Sequence, residues 1–179
     1  RFMPGALAQL KELSAKLIAE KRIKYGRITA WGTPRRLVLL VHNLAEKGED
    51  ITEEVRGPSK KAAYDAEGNL TKAAQGFARS QGVTVEELYL KEMGNGEYLF
   101  AKKELPGRQT AEVLPEIATQ LIYGLSFPKP MRWGNKEMRF ARPIRWLVSL
   151  LDDRVIPFEI EGLQAGRISR GHRFLGQQE

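Results

Sequence analysis

Apolar residues at helical spacing alternate with apolar runs of strand length along this chain, and that alternation limits the folds open to it. Residues 4–21 place apolar side chains at steps of three and four, as an amphipathic helix does. The spacing returns over residues 111–123, with Pro115 expected in the first turn. A shorter helix is predicted from an N-cap at Thr71 to a stop at Gly82.

Two β-rich segments follow each predicted helix. Residues 37–41 are continuously apolar and predict a buried strand. The stretches 94–96 (Gly-Asn-Gly) and 152–153 (Asp-Asp) mark hairpin turns, and Pro157 makes the strand after the second turn an edge strand or a bulged one. The predicted order α-β-β-α-β-β-α-β-β favours an α+β fold with mostly antiparallel sheets and interleaved helices.

One α+β region is predicted for residues 1–179, with two soft boundaries inside it. Residues 45–69 are rich in glycine, lysine and acidic residues and are typical of a loop, with room for one strand at 51–55. The first boundary is therefore expected within 48–69, and the second near Ser126.

Composition narrows the class of protein. The absence of cysteine excludes disulfides, thiolate zinc sites and cysteine nucleophiles, and it suits a cytosolic protein. No run of eighteen apolar residues is present, so we expect no membrane contact. The net charge of +7 favours attraction to polyanions such as nucleic acids.

The densest group of cations lies in residues 127–146, where aromatic residues are interleaved with arginine and lysine and three prolines prevent a long helix. Arginine forms bidentate bonds to phosphate, and exposed aromatic rings stack on unpaired bases, so single-stranded or structured RNA is the predicted ligand. The alternative is that the aromatic residues belong to the core and the cations only face solvent. The candidates for RNA contact here are Lys129, Arg132, Trp133, Arg139, Arg142 and Arg145.

Two other basic groups complete the predicted RNA-contact set. Arg35 and Arg36 follow Pro34 at the entry to the apolar strand, and their side chains point to opposite faces if the strand begins there. The candidates near the end of the sequence, in ISRGHRFLG, are the phosphate donors Arg170, His172 and Arg173.

Catalytic motifs are poorly represented. The sequence has no P-loop, no GxGxxG after a strand and no GxSxG elbow. His42 and His172 are far apart in sequence, and no catalytic partner for His172 is evident. We therefore predict no catalytic residue and no metal ligand in this chain.

Several blocks, in this order, resemble a known family over nearly the whole chain from about Trp31 onward. The family is the β subunit of the bacterial two-subunit glycyl-tRNA synthetase, in its N-terminal region. The blocks are TPRRLVLLVHNLAEK, VRGPSKKAAYDAEGNLTKAAQGFARSQGV, FPKPMRWG, FARPIRWLVSLLDD, VIPFEIEGL and SRGHRFLG.

The resemblance implies an N-terminal fragment of a cytoplasmic enzyme, a heterotetramer of α and β subunits that joins glycine to its tRNA. It implies that ATP and Mg²⁺ are used by the complex through the α subunit, so this fragment needs no cofactor and is inactive alone. The implied partners are the α subunit, tRNA(Gly) and the remainder of the β subunit. The implied role is accessory and non-catalytic, through tRNA contact and assembly.

Two alternatives to that role stay open from the sequence. One is a purely structural scaffold domain for α–β assembly, which would show a large exposed apolar patch and scattered charge. The other is an editing-type hydrolase that removes a mischarged amino acid, which would need a pocket lined by His172 or by carboxylates.

Overall fold

The computed structural model describes residues 2–94, 96–135 and 137–171, and the chain has an α+β fold divided into two compact units. Unit 1 comprises Arg1–Glu49 and Gly107–Glu179, and unit 2 comprises Asp50–Pro106. The helices of the described part are α1 (Met3–Glu20), α2 (Lys60–Ala63), α3 (Lys72–Gln81) and α4 (Thr110–Gly124). None of them is long and apolar enough to cross a membrane.

The longer strands lie in the first two thirds of the chain and the short strands in the last third. The longer strands are β1 (Arg27–Thr33), β2 (Arg36–His42), β3 (Ile51–Ser59), β4 (Tyr89–Met93) and β5 (Gly96–Leu105). The short strands are β6 (Met131–Arg132), β7 (Arg139–Phe140), β8 (Leu147–Val148), β9 (Leu150–Leu151), β10 (Arg154–Val155), β11 (Glu159–Ile160) and β12 (Leu163–Gly166).

The core of unit 1 forms where α1 and α4 pack against each other. Leu10 and Ile18 of α1 and Val113 and Ile117 of α4 are buried in it, so the predicted amphipathic helices are confirmed. The position predicted for Pro115 is wrong, because α4 begins at Thr110 and Pro115 lies in its second turn. There it leaves the carbonyl of residue 111 without its helical N–H partner.

Strands β1 and β2 form an antiparallel hairpin across the two-residue turn 34–35, and one face of it packs on α1. Leu37, Leu39 and Val41 belong to the packed face, whereas Leu40 and Trp31 are 44% and 46% exposed. The strand predicted at residues 37–41 is confirmed as part of β2, but its predicted burial is wrong. A two-stranded sheet with a helix on one side buries only alternate residues.

Unit 2 is the antiparallel sheet β3-β5-β4 with α2 and α3 beside it. Its core contains Ala63, Ala74 and Leu99. The predicted helix with Gly82 as its C-cap is confirmed, at φ +70, and so is the hairpin that joins Met93 to Gly96.

The strand allowed at residues 51–55 is confirmed as part of β3, but the loop predicted after it is wrong over residues 56–63, which form the rest of β3 and α2. The strand extends to Ser59 and has no fully buried side chain, so the apolar–polar alternation typical of a strand gave little signal. Its stability comes from pairing with β5, from Ile51 opposite Leu105 to Arg56 opposite Phe100.

The end of unit 1 consists of short hairpins. The turn predicted at 152–153 is confirmed between β9 and β10, and β10 ends two residues before Pro157. A second turn, missed from the sequence, joins β11 to β12 through Glu161 and Gly162 at φ +50 and +82. These angles are typical of a type I′ turn. One pairing, between β12 and β8, is parallel.

Unit 2 interrupts unit 1 between Glu49 and Gly107. The two flanking segments run antiparallel: Gly48 N donates to Arg108 O at 2.9 Å, and Thr110 N donates to Glu46 O at 2.8 Å. The chain thus leaves and re-enters unit 1 at one place. The transitions between the units lie at 49–50 and 106–107, whereas boundaries were predicted within 48–69 and near Ser126.

Candidate nucleic-acid interface

The basic-aromatic segment forms a two-stranded ribbon, β6 with β7. Met131 pairs with Phe140, and Arg132 pairs with Arg139. Because side chains alternate across a strand, the two arginines share one face of the ribbon and Phe140 belongs to the other.

Aromatic contacts fix the ribbon to the core of unit 1. The Phe140 ring lies edge-on to Phe127, with centroids 4.6 Å apart, and Phe127 in turn contacts Phe2 at 5.8 Å. Trp133 Nε1 donates to Phe140 O at 3.0 Å and closes the loop end of the ribbon. Phe127 is thus a core residue, whereas Trp133, Phe140 and Trp146 are half-buried.

The described cations of the segment face solvent. Within the described part of the chain, they form no ion pair with a carboxylate. Unpaired guanidinium and ammonium groups keep all their donors available to an anion. The exposed residues are Lys129, Arg132, Arg139, Arg142 and Arg145.

Arg36 connects two other groups of predicted residues. Its guanidinium donates to the carbonyl oxygen of Arg170 and lies 5.8 Å from the centroid of the Trp146 ring. Arg35 occupies the hairpin turn and is exposed, with its N–H directed to Thr33 Oγ1 at 3.3 Å. The structure therefore brings Arg36, of the basic pair Arg35–Arg36, into contact with Arg170, of the basic group near the end of the sequence.

Two predicted phosphate donors, His172 and Arg173, lie outside the described residues. Of the last basic group, Arg170 is described and exposed.

A pocket of about 320 Å³ lies between the β6–β7 ribbon and the β11–β12 hairpin. Its walls are mainly apolar, with Trp133, Phe140 and Ile160 among them, and Glu161 supplies the carboxylate. Glu161 Oε1 accepts a hydrogen bond from Met138 N at 3.3 Å, which ties the hairpin to the loop of the ribbon. Sequence reasoning missed Glu161; the Glu161–Gly162 dipeptide before an apolar residue was the local signal for its turn.

The positive charge is divided unequally between the units. Unit 1 contains 21 lysines and arginines against 12 acidic residues, a net charge of +9. Unit 2 contains 8 against 10, a net charge of −2. Attraction to a polyanion is therefore concentrated on unit 1.

The titratable groups with shifted pKa values belong to ion pairs and hydrogen bonds that join elements of the fold. Hydrogen bonding from Lys21, at 2.9 Å, lowers the pKa of Glu116 and joins the end of α1 to α4. On unit 2, a hydrogen bond to the Glu54 carboxylate raises the pKa of Tyr89 to about 12. In the described part of the chain, no group of three or more His, Cys, Asp or Glu residues could hold a metal ion.

Fold and surface together define a basic α+β protein with a cationic ribbon anchored in its core. Over residues 1–179 the sequence matches the family described as glycyl-tRNA synthetase beta subunit. The chain belongs to this family.

Curated relatives carry the same description, glycine–tRNA ligase beta subunit. The one from Desulforamulus reducens is 56% identical over 175 residues, which is 98% of this chain and 25% of the relative. The one from Clostridioides difficile (strain 630) is 48% identical over 177 residues, 99% of this chain and 26% of the relative. The one from Bacillus subtilis (strain 168) is 47% identical over 178 residues, with the same coverage. The chain thus spans about a quarter of the length of these relatives.

Proposed function

We propose that this chain is an accessory, non-catalytic region of a glycine–tRNA ligase β subunit and that it contacts tRNA through unit 1. The observation that supports this most directly is the group of exposed cations on and beside the β6–β7 ribbon, none of which pairs with a carboxylate of the described residues. The ribbon is held by the Phe127–Phe140 contact, so the cations are presented on a fixed support. A surface whose backbone is already fixed loses little backbone freedom when it binds a phosphate chain, so only its side chains have to be ordered.

We propose in addition that the chemistry of aminoacylation belongs to the partner subunit. The name of the relatives, a β subunit of a ligase, supports an α subunit as partner. On this proposal ATP and Mg²⁺ are used in the α subunit, and this chain supplies binding surface in a cytoplasmic heterotetramer with the rest of the β subunit. It forms no adenylate when tested alone.

A second candidate role, subunit or domain assembly, is favoured by the open face of the β1–β2 hairpin. Trp31 and Leu40 lie on this face and are nearly half exposed. Exposed apolar residues that cluster on one surface commonly mark protein contacts. The two roles are compatible, because the hairpin face and the β6–β7 ribbon are different surfaces.

Charge reversal at one arginine of the ribbon and at two that follow it in sequence, here called the ribbon variant, tests the tRNA contact. The triple variant Arg132→Glu, Arg142→Glu and Arg145→Glu changes exposed residues and removes three of the cations. The matched control reverses three exposed cations of unit 2, Lys61, Lys72 and Arg79. We measure tRNA affinity of the full-length chain by fluorescence anisotropy at several salt concentrations.

The ribbon variant is expected to weaken tRNA binding at least about a hundredfold at low salt and to flatten its salt dependence, because three phosphate contacts are lost. The control should bind nearly as the unchanged protein does. Equal losses in both variants would show that only net charge matters. Undetectable tRNA binding by the unchanged protein would refute the proposed contact.

A further inference from the structure

Two like charges stand directly opposite each other on the β6–β7 ribbon. Arg132 and Arg139 are register partners, so their Cβ atoms are separated by about 5 Å. Both side chains are exposed, and in the described residues neither meets a carboxylate. Like charges placed directly across a sheet destabilise the pairing of their strands.

Other contacts hold the ribbon together despite this repulsion. Phe140 packs on Phe127 from the opposite face, and Trp133 Nε1 bonds to Phe140 O across the two strands. The backbones at the two arginines therefore cannot separate without disturbing a core contact. The bases of the two cationic side chains are kept close together, and neither side chain pairs with a carboxylate of the described residues.

We propose that Arg132 and Arg139 form a clamp for one phosphodiester group of an RNA backbone. The inference rests on the proposed tRNA contact and names the pair that carries it. Each guanidinium offers a planar fork of donors that matches two phosphate oxygens. An anion bound between the forks satisfies both arginines and removes their mutual repulsion.

The neighbouring cations indicate a polymer rather than a single ion. Lys129 lies three residues before Arg132, Arg142 lies three residues after Arg139, and both are exposed. A chain of phosphates that crosses the clamp meets further cations on the same segment, whereas an isolated phosphate gains only the pair. A polynucleotide is therefore the ligand class that the surface fits.

If Arg132 and Arg139 form a clamp, the pair lowers the stability of the chain without RNA and strengthens the binding of RNA. This combination of opposite effects distinguishes a clamp from two solvated arginines. Arg132→Gln, Arg139→Gln and the double variant are made in the full-length chain. Arg154→Gln is the control: it removes an equal charge from an exposed strand residue whose register partner is Leu151. Melting temperature without RNA and affinity for tRNA are measured for each at low salt.

Each single clamp variant should raise the melting temperature slightly and weaken tRNA binding roughly tenfold, because one bidentate arginine–phosphate contact is lost. The double variant should bind only marginally worse than either single variant, since one phosphate serves both arginines. Arg154→Gln should change neither quantity appreciably. An RNA oligonucleotide should raise the melting temperature of the unchanged chain more than inorganic phosphate does at equal phosphate concentration.

The possible failures are distinct. If the unchanged chain does not bind tRNA, the proposed function is refuted and the clamp with it. If tRNA binds but the clamp variants match Arg154→Gln, or if the two single effects multiply fully in the double variant, the clamp is wrong and the tRNA contact stands. Equal stabilisation by inorganic phosphate and by the oligonucleotide would reveal a site for free phosphate and overturn the backbone assignment.

Discussion

At the scale of single residues, the close approach of the two chain segments that flank unit 2 depends on glycine at position 107, which has no side chain. A Cβ atom added to Gly107 would lie 1.8 Å from Gly48 O. Gly48 is itself buried, and its N–H is bonded to Arg108 O. The obstruction is therefore backbone held by a hydrogen bond, which cannot turn aside as a flexible side chain can.

Gly107→Ala should lower the free energy of unfolding by about 3 kcal/mol, the upper end for overpacking, because the two backbone segments must separate. Urea denaturation measures this change. Gly76→Ala is the matched control, since Gly76 is exposed within α3 and an added Cβ meets nothing within 4 Å. The control should be stabilised by roughly 0.5–1 kcal/mol through helix propensity. Equal midpoints for Gly107→Ala and the unchanged chain would refute the close approach.

At the scale of elements, the half-buried hairpin β1–β2 predicts that truncating two adjacent leucines changes the free energy of unfolding by very different amounts. Leu39 packs against the core of unit 1, whereas Leu40 is 44% exposed on the other face. Leu39→Ala should cost about 2 kcal/mol, the low end for leucine truncation because the site is only partly buried. Leu40→Ala should stay within about 0.5 kcal/mol. Similar losses at both positions would mean that the second face is covered in solution, as the assembly role requires.

The elements found from the sequence are those whose signals are local. Helix α1 has its apolar period within eighteen residues, and α3 has its C-cap glycine at the predicted position. Strand β3 was underestimated because its stability depends on β5, which is distant in sequence, and the parallel pair β8–β12 has no local signal at all. Local signals can be read from one sequence, whereas strands that depend on a distant partner cannot be found without knowledge of the pairing.

The candidate site, too, was predictable from the sequence only where its signals are local. The composition of residues 127–146 indicated the cations, and the ordered sequence blocks indicated the family. Pairing Arg132 with Arg139 requires the register of a hairpin whose connecting loop has six residues, and no short turn motif sets that register. Glu161 was missed because its place beside Met138 depends on two hairpins meeting in space.

At the scale of the whole molecule, the division of charge assigns different roles to the two units. Unit 1 carries the whole positive excess and unit 2 is slightly acidic. Because association with RNA is governed mainly by phosphate contacts, tRNA binding should follow unit 1 when the units are separated. The connectivity makes this separation feasible: Gly48 and Arg108 are hydrogen-bonded in unit 1, and Ile51 pairs with Leu105 in unit 2.

A chain in which a short Gly-Ser linker replaces residues 50–106 should bind tRNA within roughly threefold of the unchanged chain, because its phosphate-binding cations are intact. Isolated residues 50–106 should show no binding at the same salt concentration. Circular dichroism first establishes that each piece folds, and anisotropy with labelled tRNA then measures affinity. A folded unit 2 that binds while a folded unit 1 does not would overturn the assignment of RNA contact to the cationic unit. Binding only when both pieces are mixed would show instead that the contact needs surfaces from each.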